Sequence, residues 1–322
     1  MIPDFDPARP GKALYDLGPV AGPLDGISGE VLCCINNGEG PSVLLCGGIH
    51  GDEYEAQIVL RRLISALDPA TVTGRIIIVP SINFPASQKG QRLSPFDGQN
   101  MNRVFPGRSD GTPTERLAAF LAGTLFPLVD LLIDVHAGGR DVSVVPMVFG
   151  FTTPTSVVGE PALTALMEAW GYRFVQHVEG IRETACGAAK EVNLASVEVE
   201  GGGGRMEASE LRIMEEGLLR ALAAFGVIKP VLPPVAFTGV HVHAGPEGHY
   251  FAAEPGLVEH RVALGDEVTE ATVVALLHPV AGRSSTPREI RSPTSGYVLR
   301  QTEHAFVAPG QLIGNIGSAV RS

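Results

Sequence analysis

Between residues 42 and 225, short apolar runs alternate with longer stretches in which apolar residues recur every three or four positions. The short runs predict buried strands, and the periodic stretches predict helices that pack on them. The predicted strands cover residues 42–48, 75–81, 130–136, 142–149 and 195–200. The predicted helices cover residues 53–67, 114–126, 161–171 and 207–225. This alternation predicts an α/β fold, with a mostly parallel or mixed sheet flanked by helices.

The pattern changes after Lys229, where Pro230, Pro233 and Pro234 follow and helix signals end. Short β-like stretches separated by Gly, Pro and Asp then predict a small all-β barrel or sandwich. We therefore expect two domains, residues 1–229 and 230–322. The Leu-Gly-Asp-x-Val pattern of the second domain resembles the biotinyl/lipoyl-carrier fold. A carrier needs a lysine to acylate, but the last lysine of the chain is Lys229, so the second domain contains none. A carrier function is therefore excluded.

Charge and composition narrow the class of protein. The formal net charge of -11 argues against nucleic acid, whose phosphates need a basic surface. No run approaches the ~20 apolar residues that span a membrane, and the first residues do not form a secretory signal. The four cysteines lack C-x-x-C spacing, so we expect reduced thiols and a cytoplasmic protein. We also expect a homo-oligomer, because closed two-fold assemblies are the commonest kind of oligomer.

Chemistry-bearing side chains follow two of the predicted strands. His50 and Glu53 lie three residues apart after the run 43–46, and His136 ends the run 131–136. Polar groups at the carboxyl ends of strands in an open α/β sheet converge on one site. Two His and one Glu are the usual protein ligands of a catalytic zinc, which keeps a fourth position open. The sequence therefore predicts a site for one Zn²⁺ per chain.

A second constellation lies between these two segments. Residues 92–107 are rich in turn formers and predict a long loop, and long loops in compact domains are usually functional. Within this loop, Asn102 and Arg103 place an amide beside a guanidinium. The planar donors of Arg match a carboxylate, whereas a surface salt bridge is the alternative role for Arg103.

The order of these motifs resembles the succinylglutamate desuccinylase/aspartoacylase family of zinc enzymes, whose fold is related to the metallocarboxypeptidases. The family pattern stands here as Gly-Ile-His-Gly-Asp-Glu at 48–53, Asn-Phe-Pro-Ala at 83–86, Asp-Gly-Gln-Asn-Met-Asn-Arg-Val-Phe-Pro-Gly at 97–107, and Asp-Val-His at 134–136. It covers at least residues 42–205, and an appended β domain is also typical of the family.

The resemblance implies a role for each matching residue. His50, Glu53 and His136 would be the zinc ligands. Asn102 and Arg103 match the pair that holds a substrate carboxylate, and Arg92 lies where the family carries an Arg that polarises the scissile carbonyl.

The general base of the family is a Glu near the end of a late strand, followed by a hydrophobic residue and a glycine. Glu198 and Val199 fit the first part of that pattern, but Glu200 occupies the glycine position and a four-glycine run follows. Both side chains fall on the same face of a strand. We assign the base to Glu198 and keep Glu200 as the alternative.

The resemblance implies an amidohydrolase that removes an acyl group from a small N-acyl amino acid, using zinc-activated water and a Glu general base. N-succinylglutamate, N-acetylaspartate and N-acetyl-diaminobutyrate represent the expected substrate class. A metallocarboxypeptidase acting on short peptides, or an esterase, would use the same ligands. A zinc-binding protein without catalysis is a third possibility, although every expected ligand and two candidate bases are present.

Overall fold

The computed structural model describes residues 2, 4–22, 24, 29–178, 180–280 and 286–320. Residues 1 and 3, part of the stretch in which we expect no secretory signal, lie outside this range. The helices are α1 Gly18–Ala21, α2 Tyr54–Ala66, α3 Phe84–Lys89, α4 Pro113–Phe120, α5 Glu160–Ala169, α6 Ala185–Glu191 and α7 Ala208–Phe225. None of these is long and apolar enough to cross a membrane.

The strands of the described residues alternate with these helices up to residue 225 and follow one another thereafter. They are β1 Gly11–Asp16, β2 Val31–Asn37, β3 Ser42–Gly47, β4 Gly74–Val79, β5 Leu131–Val135, β6 Val142–Phe151, β7 Phe174–His177, β8 Ala195–Gly202, β9 Val240–His243, β10 His249–Phe251, β11 Gly256–His260, β12 Glu267–Val268, β13 Val273–Pro279, β14 Arg288–Arg291, β15 Gly296–Thr302, β16 Phe306–Val307 and β17 Leu312–Ala319.

The large sheet is mixed, as the pattern of strands and helices predicts. Its order within the described residues is β1-β2-β4-β3-β5-β8-β6-β7-β9-β17-β15-β12. The centre is parallel, because β3 pairs in parallel with β4 and β5, and β5 with β8. The flanking strands β2 and β6 run antiparallel to their neighbours β4 and β8. The carboxyl ends of β3, β5 and β8 therefore meet at one edge of the sheet.

Helices cover both faces of this sheet. On β5, Leu131, Ile133 and Val135 pack in a core with α2, α5 and α7, whereas Leu132 packs in a second core with α4 and α6. This division follows from the two-residue alternation of a strand. The face that carries Leu132 is therefore also the face that carries Asp134.

All five predicted strands and three of the four predicted helices are confirmed with small shifts at their ends. The predicted helix at 114–126 is only partly correct, because α4 ends at Phe120 and a π turn, Leu121–Leu125, follows. The pattern did not predict the antiparallel pair β1 and β2, or the short helices α3 and α6.

The described residues after 230 form only strands and loops apart from a 3-10 turn at Pro246–Gly248, as predicted. Its strands divide between the large sheet and a four-stranded sheet, β14-β13-β11-β16. The two halves of the chain share hydrogen-bonded strands, since β15 pairs with β6 and β9 with β7. Closure into a barrel and the domain boundary at 229/230 stay predictions.

Candidate active site

The segment between β3 and α2 brings His50 and Glu53 to the carboxyl end of the central sheet. Two glycines permit this path. Gly48 has φ of +65°, which glycine adopts without strain, and a Cβ at Gly51 would lie 2.1 Å from the carbonyl carbon of Ala86. Glu53 directly precedes the first residue of α2. The glycines found in the motif are thus required by the close approach of two backbone segments.

His136 reaches the same place from the neighbouring strand. It directly follows β5, and its backbone N–H donates to the carbonyl of Val199 on β8 at 2.8 Å. The parallel pairing of β3 with β5 sets its position relative to His50. The ring centroids of the two histidines lie 5.2 Å apart.

Glu53 is the centre of the cluster. Its Oε1 lies 2.7 Å from Nδ1 of His50, and its Oε2 lies 2.7 Å from Nδ1 of His136. The guanidinium of Arg92 also donates to Oε1, at 2.8 Å. Burial raises the pKa of Glu53, but the charges and hydrogen bonds of His50 and His136 outweigh it and hold that pKa well below its usual range. The carboxylate is therefore ionised.

The outer nitrogen of each ring also faces an oxygen. Nε2 of His50 lies 3.1 Å from Oδ1 of Asn100, and Nε2 of His136 lies 3.0 Å from Oδ2 of Asp134. Burial lowers the pKa of His136, but Asp134 and Glu53 together raise it well above its usual value. Each ring is thus held between two oxygen acceptors.

This donor set fits a metal ion. A neutral imidazole carries one N–H, so a ring between two acceptors needs a cation at one of its nitrogens, either a proton or a metal. The ligand atoms of His50, Glu53 and His136 all lie within 4.8 Å of one another, and all three residues are buried. Two His and one Glu match a catalytic zinc site, and oxygen partners on the outer nitrogens are usual around metal-binding histidines.

Glu198 and Glu200 lie on the face of β8 that carries the site. Val197 and Val199 pack in the core of the opposite face, so alternation directs both glutamates away from that core. Burial raises the pKa of Glu198 to about 7 against the opposing charge of His136, and burial raises the pKa of Glu200 to about 8. A carboxyl group with a pKa near neutrality is suited to general acid–base chemistry.

The two glutamates have different neighbours. Ligand atoms of Glu198, Asp134 and Cys186 lie within 4.8 Å of one another. Oε2 of Glu200 is buried without a hydrogen-bond partner in the described part of the chain, and after burial the charge of Glu53 has the largest effect on its pKa. Both therefore remain candidates for the base.

The loop predicted at 92–107 is irregular apart from a 3-10 turn at Met101–Arg103, and it lies against the cluster. Asn102 is buried, and its Oδ1 accepts from the backbone N–H of Ala185 at 2.9 Å. Arg103 is exposed, and its guanidinium donates to the carbonyl of Asn102 at 2.5 Å. The charge of Arg103 also lowers the pKa of Glu198. The structure thus brings the predicted substrate-binding pair close to the candidate base.

Arg92 lines a cavity beside the cluster. Its side chain is 41% exposed although it contacts the buried Glu53. The cavity has a volume of about 320 Å³ and is lined by Asp52, Gly90, Gln91, Arg92, Leu93, Arg140 and Asp141. It has the size of a site for a small molecule.

Three further residues belong to this region although the sequence motifs assigned them no role. Asp134 shares a strand face with His136, a relation that the i, i+2 spacing could have indicated. Asn100 belongs to the motif at residues 97–107, which assigned it no role. Arg300 lies on β15 opposite Val144 of β6. Burial lowers the pKa of Arg300 although the charges of Glu200 and Glu53 oppose the shift, so the β segment brings a cation near these two carboxylates.

Relatives carry the same overall organisation. Residues 39–225 match the model of the succinylglutamate desuccinylase/aspartoacylase catalytic domain. The chain is 34% identical to the N-alpha-acetyl-L-2,4-diaminobutyric acid deacetylase of Halomonas elongata, over 89% of this chain and 85% of that protein.

Solved structures agree with the sequence relatives. The product-bound ectoine utilization protein EutE (DoeB) from Ruegeria pomeroyi has a TM-score of 0.89 at 30% identity, covering 98% of each chain. A metallopeptidase from Shewanella denitrificans shares the fold alone, with a TM-score of 0.51 at 18% identity over 66% of this chain and 82% of that one. The chain belongs to the succinylglutamate desuccinylase/aspartoacylase family.

Proposed function

We propose that the protein is a zinc-dependent amidohydrolase that removes an acyl group from a small N-acyl amino acid. The observation that carries this proposal is the convergence of Nδ1 of His50 and Nδ1 of His136 on the two oxygens of Glu53. The deacetylase relative from Halomonas elongata supports N-acetylated 2,4-diaminobutyrate or a close analogue as the first substrate to test.

His50, Glu53 and His136 are the residues that would hold the zinc ion. When bound there, zinc supplies Lewis acidity, which activates water near neutral pH and polarises the acyl carbonyl. The enclosed position of the three ligands favours this role, because they are 3%, 2% and 2% exposed. Electrostatic interactions are stronger in such a site than in water.

A glutamate on β8 carries out the proton transfers. The ionised carboxylate accepts a proton from the attacking water and then delivers it to the amide nitrogen, so the C–N bond breaks to give a carboxylic acid and an amine. Such a positioned acid–base group commonly contributes 10²–10⁴-fold in rate. We assign this role to Glu198, with Glu200 as the alternative, because both carboxyl groups have pKa values raised toward neutrality.

The remaining residues orient the substrate. Arg92 donates to Glu53 of the ligand cluster, and its exposed part is able to hydrogen-bond the acyl oxygen. Arg103 offers a planar fork to the substrate carboxylate, and Asn102 holds that turn against α6 through the N–H of Ala185. A substrate bound by these residues would have its scissile amide beside Glu53 and the β8 glutamates.

The test is purification of the protein, measurement of bound metal and hydrolysis of a panel of N-acetyl and N-succinyl amino acids and short peptides. We expect about one zinc per chain, turnover of an N-acyl amino acid, and loss of both in His50→Ala. His243→Ala is the matched control, because that exposed histidine lies on β9, away from the cluster. Absence of zinc from the wild-type protein would refute the metal site, and cleavage of peptides alone would favour a carboxypeptidase.

A further inference from the structure

Asn100 joins the two halves of the site through one atom. It precedes the 3-10 turn Met101–Arg103, and its Oδ1 accepts from the backbone N–H of Asn102 at 2.9 Å. The same Oδ1 lies 3.1 Å from Nε2 of His50. One side-chain oxygen therefore contacts both a candidate metal ligand and the turn that carries the candidate substrate-binding pair.

These two contacts place a proton on Nε2 of His50. A backbone N–H only donates, so the Asn100 atom that faces Asn102 must be the amide oxygen and not the nitrogen. An oxygen only accepts here, so Nε2 of His50 must donate to it. Nδ1, which lies 2.7 Å from Oε1 of Glu53, is then the nitrogen that would bind the metal, with the metal in place of a proton between the two atoms.

We propose that Asn100 is a positioning residue that couples the metal site to the substrate-binding turn, an inference that rests on the proposed zinc site. By fixing the proton on Nε2 it prepares His50 as a metal ligand. By accepting from Asn102 it holds the turn in register with that ligand. Coupling between two sites is reciprocal, so metal binding at His50 stabilises the turn, and an ordered turn strengthens metal binding.

If Asn100 had a purely structural role, its loss would affect the site in the same way as the loss of another residue that only holds the backbone. Asn83 offers the comparison, because it is also buried and its side chain donates to the carbonyl of Ile49 at 3.2 Å. It holds the backbone next to His50, and within the described residues its side chain makes no hydrogen bond to the imidazole. Loss of Asn83 therefore disturbs the same loop without changing the proton on His50.

The experiment measures zinc affinity by competition with a chromophoric chelator for the wild type, Asn100→Ala, Asn100→Asp, Asn100→Ser and Asn83→Ala. Serine caps a turn but is too short to reach the imidazole, so it separates the two contacts. We expect zinc affinity to fall about 10- to 100-fold in Asn100→Ala and Asn100→Ser, and to be largely restored in Asn100→Asp. Asn83→Ala should bind zinc like the wild type once folded.

A second readout uses zinc alone and needs no substrate. Hydrogen exchange in peptides that contain Asn102 should slow when zinc is added to the wild type, and this slowing should be absent in Asn100→Ala. Absorption bands of bound Co²⁺ should shift in the Asn100 variants and not in Asn83→Ala.

Equal zinc affinity in Asn100→Ala and the wild type would overturn the inference, and so would an equal loss in Asn83→Ala. A wild-type protein that binds no zinc would remove both this inference and the proposed function. Zinc binding without any turnover would remove only the proposed substrate class, while the Asn100 result would stand.

Discussion

Oδ2 of Asp134 lies 3.0 Å from Nε2 of His136, on the opposite side of the ring from Glu53. Asp134 is fully buried, and its Oδ1 has no hydrogen-bond partner in the described part of the chain. A carboxylate on the outer nitrogen fixes the ring and makes the inner nitrogen more basic. Asp134 therefore prepares His136 for a cation, as Asn100 does for His50.

Replacing Asp134 by Ala should weaken zinc retention about 10- to 100-fold, because His136 loses the partner that orients it. The buried Nε2–H also loses its acceptor, which should destabilise the protein by about 1–3 kcal/mol. The rate of zinc transfer to a chelator and unfolding in urea measure the two effects. Asp134→Asn retains an acceptor and should lose less of both, and unchanged zinc retention in Asp134→Ala would contradict the assigned role.

The general base can be identified by paired substitutions on β8. Replacing the base by Gln should lower kcat by about 10²–10⁴-fold with zinc retained and KM little changed. Replacing the other glutamate should have a clearly smaller effect, so Glu198→Gln and Glu200→Gln control for each other. Equal small losses in both variants would exclude both residues as the base.

The pH profile gives an independent check on the base. A base must be ionised to accept a proton, so kcat/KM falls as the pH drops through the pKa of that group. Burial raises the pKa of Glu198 to about 7 and that of Glu200 to about 8, and a bound cation lowers both. We expect the acid limb above pH 5. A limb at about 4.3, the ordinary value for glutamate, would contradict the prediction.

The same buried carboxyl groups should cost stability in the metal-free protein. The pKa of Glu200 in the folded protein is about 8, which is above the pKa of glutamate in the unfolded chain. At a pH below the unfolded-state pKa, Glu200 is protonated in both states and costs no stability. As the pH rises, the unfolded chain ionises first, and stability falls until the pH passes about 8. Glu200→Gln should therefore be more stable than the wild type at pH 8 by about 1 kcal/mol or more, and equal to it near pH 4.5.

Thermal unfolding with a chelator present measures this difference, which corresponds to about 2–4 °C for each kcal/mol. Glu289→Gln controls for loss of charge, because Glu289 is exposed on β14. A gain at pH 4.5 equal to that at pH 8 would assign the effect to packing instead of ionisation.

The convergence of His50, Glu53 and His136 was predictable from the sequence, because these residues follow buried strands whose parallel pairing is itself predictable. His50 and His136 each follow a strand, and the strand pairing then determines their separation. The choice between Glu198 and Glu200 was not predictable, since the two residues share a strand face and differ only in neighbours that come from other segments.

The hydrophobic pattern did not predict the features that depend on contacts between residues far apart in sequence. The short helix α6 is supported by burial of Cys186 and by the bond from Ala185 to Asn102, a residue 83 positions away. Arg300 approaches Glu200 only because β15 pairs with β6 and β6 with β8. Local periodicity contains no information about that register.

Asp97 anchors the loop at residues 92–107 to α4. Its carboxylate accepts from the backbone N–H of Gln99 at 3.1 Å and from the N–H and hydroxyl of Thr114 at 3.0 and 2.8 Å. Burial raises the pKa of Asp97, but these hydrogen bonds outweigh it and lower the pKa below the usual value. The ionised carboxylate therefore stabilises the folded state at neutral pH.

Replacing Asp97 by Ala should cost about 1–3 kcal/mol at pH 7, because the Thr114 donors lose their acceptor. Because the pKa of Asp97 is lower in the folded state, the charge-dependent part of this stability is present above pH ~3.9, the ordinary pKa of aspartate. It is lost as the pH falls through the folded-state pKa. Urea unfolding of the wild type and Asp97→Asn at pH 7 and pH 3 measures this part, and the difference should shrink at pH 3. Asp4→Asn is the control, since that exposed residue lies outside the loop. A difference between wild type and Asp97→Asn that is the same at both pH values would mean that the shape of Asp97, and not its charge, holds the loop.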